Sequence, residues 1–353
     1  MNIQALARPE IVALQPYASA RSLADSAGVL LNANESPWAP NANGQALNRY
    51  PDPQPAALKA ALAGEYGVPS DQLLITRGSD EGIDLLVRAF CRPGTDRVLI
   101  CPPCFGMYAL SARVQGASVV EVPLTEGEGG FSADFGAIDQ APDCKLYFLC
   151  TPNNPTGNEL PIASIVELAE RVSDHGLVVV DEAYVEFGDQ ASLAPRVAEI
   201  PNLVVLRTLS KAFGLAGCRI GTVIATPEII GLLRRIIAPY PLPTPAVAAA
   251  MKVLAPGARK RRRHQIATLK TEKLSLVAAL KGHPAIINTW PGKANFILIR
   301  TTPKSELVAA ATRAGIRLRD QSAQPGLNDC VRITVGSPED NRQLIEFLNR
   351  WPA

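Results

Sequence analysis

The feature that most constrains this chain is an alternation of short β-rich runs with helical patterns between about residues 70 and 240. The runs predict strands at residues 73–76, 97–101, 118–122, 145–151, 177–181, 203–208 and 220–225. Two segments, residues 177–180 and 203–206, are apolar throughout, which is typical of strands that helices cover on both faces. The pattern therefore predicts an α/β fold with a mostly parallel sheet of about seven strands.

The rest of the chain predicts two further parts. The pair Pro256-Gly257 interrupts the chain before a polar helical pattern at residues 258–281. Alternating strands and helices follow, at residues 294–300, 305–314 and 330–335 and from Pro338 onward. We expect a large domain at residues 41–250 and a smaller C-terminal α/β domain at residues 251–353. Residues 1–40 are irregular and rich in Pro and Asn, and they predict an arm that packs on the large domain or on a neighbouring subunit.

Charge and composition argue against several classes of partner. Lys and Arg number 35 and Asp and Glu 33, a formal charge of +2 that does not predict binding to nucleic acid. No aromatic platform accompanies the basic cluster at residues 259–264, which we interpret as a solvated helix start. The chain has no apolar run of about 18 residues and no visible signal peptide, so we expect a cytoplasmic protein without a membrane span.

The cysteines and histidines do not predict a metal site. The seven cysteines are scattered, and the CxxC spacing of Cys101 and Cys104 has neither a second pair nor a nearby histidine to complete it. The chain has three histidines, too few for a His-rich centre. We expect reduced thiols that are mostly buried.

Polar residues follow four of the predicted strands, at the edge of an open α/β sheet where ligands gather. Residues 77–80, Arg-Gly-Ser-Asp, form a glycine turn that opens a helix and can cradle an anion. The alternative is an ordinary helix cap by Ser79 or Asp80. Residues 151–157, Thr-Pro-Asn-Asn-Pro-Thr-Gly, predict a rigid turn that aims an amide side chain off the strand end. The alternative is a turn that binds no ligand.

The other two strand ends carry a carboxylate and an amine. Asp181 follows an apolar strand, and a buried carboxylate needs a partner such as a cationic ring nitrogen. A cap or an internal salt bridge is the alternative. Lys211 stands among apolar neighbours at positions 209, 212 and 213, so desolvation and the nearby Arg219 should lower its pKa and favour the nucleophilic amine. Ser210 and Arg219 are placed to bind a phosphate beside it.

Together the four strand ends match the needs of one cofactor. They supply a lysine that traps a carbonyl, a phosphate cup, an acid for a pyridinium and donors for a phenolate oxygen, as pyridoxal 5'-phosphate (PLP) requires. The motifs Asn154-Pro155-Thr156-Gly157, Asp181-Glu182-Ala183-Tyr184 and Ser210-Lys211-Ala212-Phe213 resemble those of the fold-type I aminotransferases in order and spacing. The resemblance implies that fold and a PLP-dependent enzyme.

The resemblance covers essentially the whole chain and narrows to the histidinol-phosphate aminotransferase family. Matching motifs in the N-terminal half are Leu-Gln-Pro-Tyr at residues 14–17, Leu-Asn-Ala-Asn-Glu at 31–35, Asn-Arg-Tyr-Pro at 48–51 and Arg-Gly-Ser-Asp-Glu at 77–81. Matching motifs in the C-terminal half are Ala-Pro-Tyr-Pro at 238–241, Leu-Arg-Asp-Gln at 318–321 and Val-Arg-Ile-Thr-Val-Gly at 331–336. The resemblance to this narrower family depends on these motifs of the N- and C-terminal halves.

The resemblance implies a role for each matching residue. Lys211, Asp181 and Tyr184 would be catalytic: the lysine forms an imine with the cofactor, the aspartate holds the ring N1 proton, and the tyrosine binds the ring oxygen together with Asn154. The cofactor phosphate would be surrounded by Ser79, Asp80, Thr208, Ser210 and Arg219, with Tyr50 reaching it across the interface of a homodimer. The substrate would contact Tyr17, Asn154, Arg319 and Arg332, with Asn34 either near it or only a turn residue.

Phe105 departs from the family pattern. It stands where a tyrosine often stacks on the cofactor ring, so stacking is kept while any hydroxyl hydrogen bond is lost.

The resemblance implies transamination of L-histidinol phosphate with 2-oxoglutarate, giving imidazole acetol phosphate and L-glutamate in histidine biosynthesis. Two alternatives share the fold: a PLP-dependent decarboxylase of a phosphorylated amino acid, and an aromatic amino-acid aminotransferase. A third, from another class, is a non-catalytic PLP-binding regulator that contacts DNA. That regulator requires a helix-turn-helix module, and the arm is too short and too rich in Pro and Asn to form one.

Overall fold

The computed structural model describes residues 2–23, 29–40 and 47–351, in which strands and helices alternate as the sequence predicts. The strands are β1 (Leu73–Thr76), β2 (Arg97–Ile100), β3 (Ser118–Glu121), β4 (Thr125–Gly127), β5 (Gly130–Ser132), β6 (Leu146–Cys150), β7 (Leu177–Asp181), β8 (Leu203–Thr208), β9 (Gly221–Ile224), β10 (Ile286–Trp290), β11 (Phe296–Thr301), β12 (Arg319–Asp320) and β13 (Cys330–Thr334). The helices are α1 (Ile3–Leu6), α2 (Pro9–Ala13), α3 (Ala20–Leu23), α4 (Ala56–Tyr66), α5 (Gly78–Phe90), α6 (Met107–Gln115), α7 (Phe135–Gln140), α8 (Ile162–Arg171), α9 (Pro227–Arg234), α10 (Thr244–Leu254), α11 (Pro256–Lys281), α12 (Lys304–Arg313) and α13 (Pro338–Arg350).

A seven-stranded sheet of order β1-β9-β8-β7-β6-β2-β3 forms the centre of the large domain. All seven predicted strands take part in it. Only β9 runs antiparallel, to both β1 and β8, and the other neighbours pair in parallel. The prediction of a mostly parallel sheet is therefore confirmed, and the carboxyl ends of β6, β7 and β8 meet at one edge.

Helices cover both faces of this sheet, as the apolar strands predict. Along β7 every residue is buried: Val178 and Val180 pack on the face covered by α4, α8 and α10, whereas Leu177 and Val179 pack on the face covered by α5, α6 and α9. Each fully buried side chain of this kind contributes about 1.5–3 kcal/mol of transfer free energy. Because both faces are apolar, the polar chemistry is confined to the strand ends.

A second sheet, of order β10-β11-β13-β12 and wholly antiparallel, lies in the C-terminal part and packs against α11, α12 and α13. The predicted strands and helices here are present within one or two residues. The sequence pattern did not predict the strands β10 and β12 or the hairpin of β4 and β5. The predicted interruption before the long helix is present, but it lies at Ala255, between α10 and α11. Pro256 is itself the first residue of α11, a position where proline's missing N–H costs nothing.

The basic cluster at residues 259–264 is more than a solvated helix start, so that interpretation is wrong in part. Arg259 and Arg262 of α11 both pair with Glu65 of α4. Arg262 is buried, and its guanidinium lies 4.1 Å from the ring centroid of Phe213. The cluster therefore ties the C-terminal part to the large domain.

The N-terminal arm is not wholly irregular, because it contains the short helices α1, α2 and α3. Ile3 and Leu6 are buried against the large domain, and the Arg8 N–H donates to the Ala89 carbonyl at 3.0 Å. The predicted boundary between arm and large domain adjoins residues 41–46, which lie outside the described residues, as do 1, 24–28, 352 and 353. The division into arm, large domain and small domain stays a prediction. No described helix is long and apolar enough to cross a membrane.

Candidate active site

A cavity of about 160 Å³ opens at the carboxyl edge of the large sheet. Its lining includes ten of the predicted residues: Ser79, Asp80, Phe105, Asn154, Asp181, Tyr184, Thr208, Ser210, Lys211 and Arg219. They come from the ends of four strands and the loop before α6. Parallel pairing brings the ends of β6, β7 and β8 together, and the antiparallel β9 begins between the ends of β8 and β1. Residues distant in sequence therefore share one cavity.

Asp181 ends β7 and places a buried carboxylate at the floor of the cavity. Its Oδ2 accepts a hydrogen bond from the Tyr108 hydroxyl at 2.7 Å, and its Oδ1 accepts one from the Ala183 N–H at 3.0 Å. Burial raises the pKa of Asp181, although both hydrogen bonds oppose the rise. No internal salt bridge neutralises this carboxylate among the described residues, so that alternative is wrong.

Tyr108 is a residue that sequence reasoning missed. It lies on α6, is 1% exposed, and stacks on Phe148 with ring centroids 4.9 Å apart. Burial raises the pKa of its hydroxyl well above the usual range, which keeps it a hydrogen-bond donor to Asp181. A buried tyrosine on the apolar face of a helix is indistinguishable in sequence from any other core residue, so no local signal identifies it.

Lys211 follows β8, with its Nζ 5.4 Å from the ring centroid of Tyr184. Partial desolvation lowers the pKa of its amine, and the charge of Arg332 acts in the same direction, ahead of that of Arg219. The direction of the shift is the expected one. Lys211 as a whole residue is exposed to solvent, although its amine is partly desolvated.

The helix α5 begins at Gly78, directly after β1, which β9 separates from β8 in the sheet. Arg77 occupies the N-cap position, so the interpretation of Ser79 and Asp80 as caps is wrong; both lie in the first turn. The backbone N–H groups of a first turn have no partner within the helix and attract anions. Gly78 has φ +76°, and a Cβ there would lie 2.5 Å from Nη2 of Arg219, so only glycine fits.

Hydroxyls and a guanidinium surround this helix start. Arg219 donates to Oδ2 of Asp80 at 3.1 Å and to Oγ of Ser210 at 3.4 Å. The Thr208 hydroxyl donates to Oγ of Ser210 at 3.0 Å. Donors from two strand ends and a helix start thus converge at one end of the cavity, a geometry suited to a phosphate.

Arg332 adjoins the cavity through Asn154, and Arg319 lies beside Arg332 on the small sheet; neither arginine is among the lining residues. Arg332 of β13 donates to Oδ1 of Asn154, which leaves the amide NH₂ of Asn154 free to donate. Arg319 of β12 is its direct partner in the antiparallel register. The neighbouring Asp320 pairs with Lys304 at 3.1 Å and not with either arginine. Within the described chain, neither arginine pairs with a carboxylate.

The remaining predicted residues lie elsewhere. Tyr17 is 74% exposed and lines a cavity of about 450 Å³ with Pro53 and Arg235. Asn34, with φ +54°, and Tyr50 share another cavity of about 390 Å³. Within this chain, the three residues do not line the cavity that holds Lys211.

Comparison with known proteins agrees with the fold. Residues 20–348 match the family model described as aminotransferase class I and II, so the chain belongs to that class of enzymes. A histidinol-phosphate aminotransferase of Stenotrophomonas maltophilia (strain R551-3) is 47% identical over 99% of this chain and 97% of its own. Within the class, the chain belongs to the histidinol-phosphate aminotransferase family.

Solved structures give the same fold. The crystal structure of the histidinol-phosphate aminotransferase from Clostridium acetobutylicum has a TM-score of 0.77 at 22% identity and covers 86% of this chain and 90% of its own. The enzyme from Sinorhizobium meliloti, solved in complex with pyridoxal-5'-phosphate, has a TM-score of 0.75 at 24% identity and covers 85% and 83%. The predicted fold-type I architecture is thereby confirmed.

Proposed function

We propose that this protein transfers the amino group of L-histidinol phosphate to 2-oxoglutarate, giving imidazole acetol phosphate and L-glutamate, in histidine biosynthesis. The observation that carries the proposal is the pair Arg319 and Arg332, adjacent in register beside the cavity of Lys211 and without a carboxylate partner in the described chain. The first substrate presents a phosphate and the second two carboxylates. Guanidinium groups bind both kinds of oxyanion with paired hydrogen bonds.

The residues of the cavity fit PLP as the cofactor. The cavity has a cationic end at Arg219 and the start of α5, a buried carboxylate at Asp181, and an amine with a lowered pKa at Lys211. The phosphate of PLP would bind at the cationic end, its ring nitrogen at the carboxylate and its aldehyde at the amine. When bound, PLP accepts the electron pair that is left when the bond between the substrate's Cα and its hydrogen breaks.

Lys211 performs the proton transfer in this proposal. Its lowered pKa makes the neutral amine more abundant near neutral pH, and a neutral amine can anchor an aldehyde or accept a proton. With PLP and substrate bound, Nζ of Lys211 would accept the proton that leaves the substrate's Cα.

Asp181 would hold the proton on the ring nitrogen of PLP, which keeps the ring able to accept electrons. An ionised carboxylate in a buried site stabilises a proton on the ring nitrogen, and the Tyr108 hydroxyl and Ala183 N–H orient that carboxylate. Phe105 offers a ring for stacking, while Tyr184 and the amide of Asn154 offer donors to the ring oxygen.

We propose further that the enzyme is a cytoplasmic homodimer. Tyr50 would reach the cofactor phosphate of the partner subunit, and Tyr17 and Asn34 would border a substrate. Tyr17 and Tyr50 are exposed and, within one chain, line cavities other than that of Lys211, which supports this arrangement.

The experiment is to incubate the purified, PLP-loaded enzyme with L-histidinol phosphate and 2-oxoglutarate and to identify both products. Formation of imidazole acetol phosphate and L-glutamate in equal amounts is expected. Release of CO₂ from a phosphorylated amino acid without glutamate would indicate the decarboxylase instead. A higher kcat/KM for phenylalanine or tyrosine than for histidinol phosphate would indicate the aromatic aminotransferase.

A further inference from the structure

Glu35 is a buried carboxylate in an otherwise exposed part of the arm. Its side chain is 3% exposed, whereas the neighbouring Asn34 and Ser36 are exposed. Both oxygens of Glu35 accept from Nη2 of Arg21, at 2.8 and 3.0 Å, and Oε2 accepts from Nη1 of Arg49 at 2.9 Å. We name Arg21, Glu35 and Arg49 the arm clamp. It joins α3, the turn at Asn34 and the segment before Tyr50.

The arm clamp holds both backbone polar groups of Tyr50. The Tyr50 N–H donates to Oε1 of Glu35 at 2.6 Å, and its carbonyl accepts from Nε of Arg21 at 3.3 Å. One face of the Tyr50 ring stacks on Tyr240, with ring centroids 4.4 Å apart and planes inclined by 15°. Tyr50 is nevertheless 49% exposed, so it is fixed in place while still open to another molecule.

The charges of the clamp favour its intact form near neutral pH. Burial opposes ionisation of Glu35, but the Tyr50 N–H, Arg49 and the charge of Arg21 lower its pKa below the usual value. A protonated or amide side chain at this position could not accept three donors with the same strength. Loss of the charge would therefore release the Tyr50 backbone.

We propose that Glu35 is a positioning residue that, with Arg21, fixes the Tyr50 backbone so that the tyrosine is presented to the cofactor phosphate of the partner subunit. This inference rests on the proposed function, because it takes from it the role of Tyr50. Fixing Tyr50 before the cofactor binds removes the conformational entropy that a loose segment would lose on binding.

The test is a double-mutant cycle on PLP affinity, measured by titration of the apoenzyme, with sedimentation velocity on the same samples to confirm the assembly. We expect Tyr50→Phe to raise the PLP Kd about 10-fold and Glu35→Gln about 5-fold. Since Glu35 acts through Tyr50, the double variant should bind PLP within about twofold of Tyr50→Phe alone.

The matched control is Glu65→Gln, because Glu65 also holds two arginines but contacts none of the residues of the cofactor cavity. Its PLP Kd should stay within about twofold of wild type. Should Glu35→Gln fail to fold, Arg21→Gln replaces it in the cycle with the same expected pattern.

The outcomes separate the two proposals. If Tyr50→Phe binds PLP as wild type does, the role of Tyr50 in the proposed function is wrong. If Tyr50→Phe binds weakly while Glu35→Gln does not, or if the two effects multiply in the double variant, Glu35 does not position Tyr50.

Discussion

The carboxyl edge of the large sheet and the N-terminal arm hold their predicted site residues in different ways. At the sheet edge, ten predicted residues line one cavity within a single chain. In the arm and the segment after it, Tyr17, Asn34 and Tyr50 line two other cavities. Within one chain, sheet pairing therefore assembles the cavity of Lys211, whereas Tyr17, Asn34 and Tyr50 lie outside it, as the proposed homodimer requires.

The largest effect is expected at Lys211. Lys211→Ala removes the amine that moves the proton, so kcat should fall by about a thousandfold or more. Lys273 is the matched control: desolvation lowers its pKa to about 8, but its Nζ donates to the Gly292 and Ala294 carbonyls instead of facing the cavity. Borohydride should fix PLP on Lys211 and not on Lys273, as peptide mass spectrometry would show. Wild-type turnover of Lys211→Ala would refute the assignment.

Asp181→Asn should lower kcat on the order of 100-fold while changing PLP affinity much less, because the carboxylate's charge matters most in the transition state. The neighbouring Glu182 is equally buried but pairs with Arg207 and accepts from Ser192. Glu182→Gln should therefore lower Tm with little effect on kcat. Kinetics and thermal melts of both variants test this contrast; a loss confined to PLP binding in Asp181→Asn would make Asp181 structural.

Arg332→Lys keeps the charge but loses the guanidinium fork, so kcat/KM should fall about 10- to 100-fold for histidinol phosphate and for 2-oxoglutarate alike. The control is Arg300, which lies in the same small sheet and pairs with Glu126. Arg300→Lys should leave kcat/KM for both substrates within a few-fold of the wild-type values. The preference for histidinol phosphate over histidinol should shrink in Arg319→Ala and Arg332→Ala. If it persists in both, the phosphate pocket lies elsewhere.

Tyr108→Phe should lower kcat about 10-fold with little change in KM, since it removes the hydrogen bond that orients Asp181. The visible spectrum of the PLP-loaded variant should also change. Tyr147→Phe deletes another buried hydroxyl, which contacts His175 and the Cys144 N–H instead of the cavity. Identical spectra and kinetics in the two variants would show that the Tyr108 hydroxyl has only a packing role.

The smallest effect is expected in the arm. Tyr17→Phe should lower kcat/KM for histidinol phosphate about fivefold and that for histidinol less, because only the former offers a phosphate to the hydroxyl. Equal losses for the two donors would place Tyr17 away from the phosphate and would weaken the contrast between the sheet edge and the arm.

Local patterns were enough to predict the sheet edge. A run such as residues 177–180 is apolar throughout, so it must be a buried strand, and the polar residue that follows must lie at the sheet edge. Lys211, Asp181 and Asn154 could be located in this way without any coordinates. The exposure of Lys211 and the true start of α5 could not be predicted from the sequence, because they depend on how neighbouring elements pack.

The sequence by itself therefore determined the α/β fold, the strand ends that carry the chemistry and the family to which the chain belongs. Only the tertiary structure decided that Tyr108 holds Asp181, that Arg262 packs on Phe213, and that Arg21 and Glu35 hold Tyr50. The physical reason is the range of the interactions. Strand and helix periodicity arises between near neighbours, whereas each of these contacts joins residues that no local pattern relates.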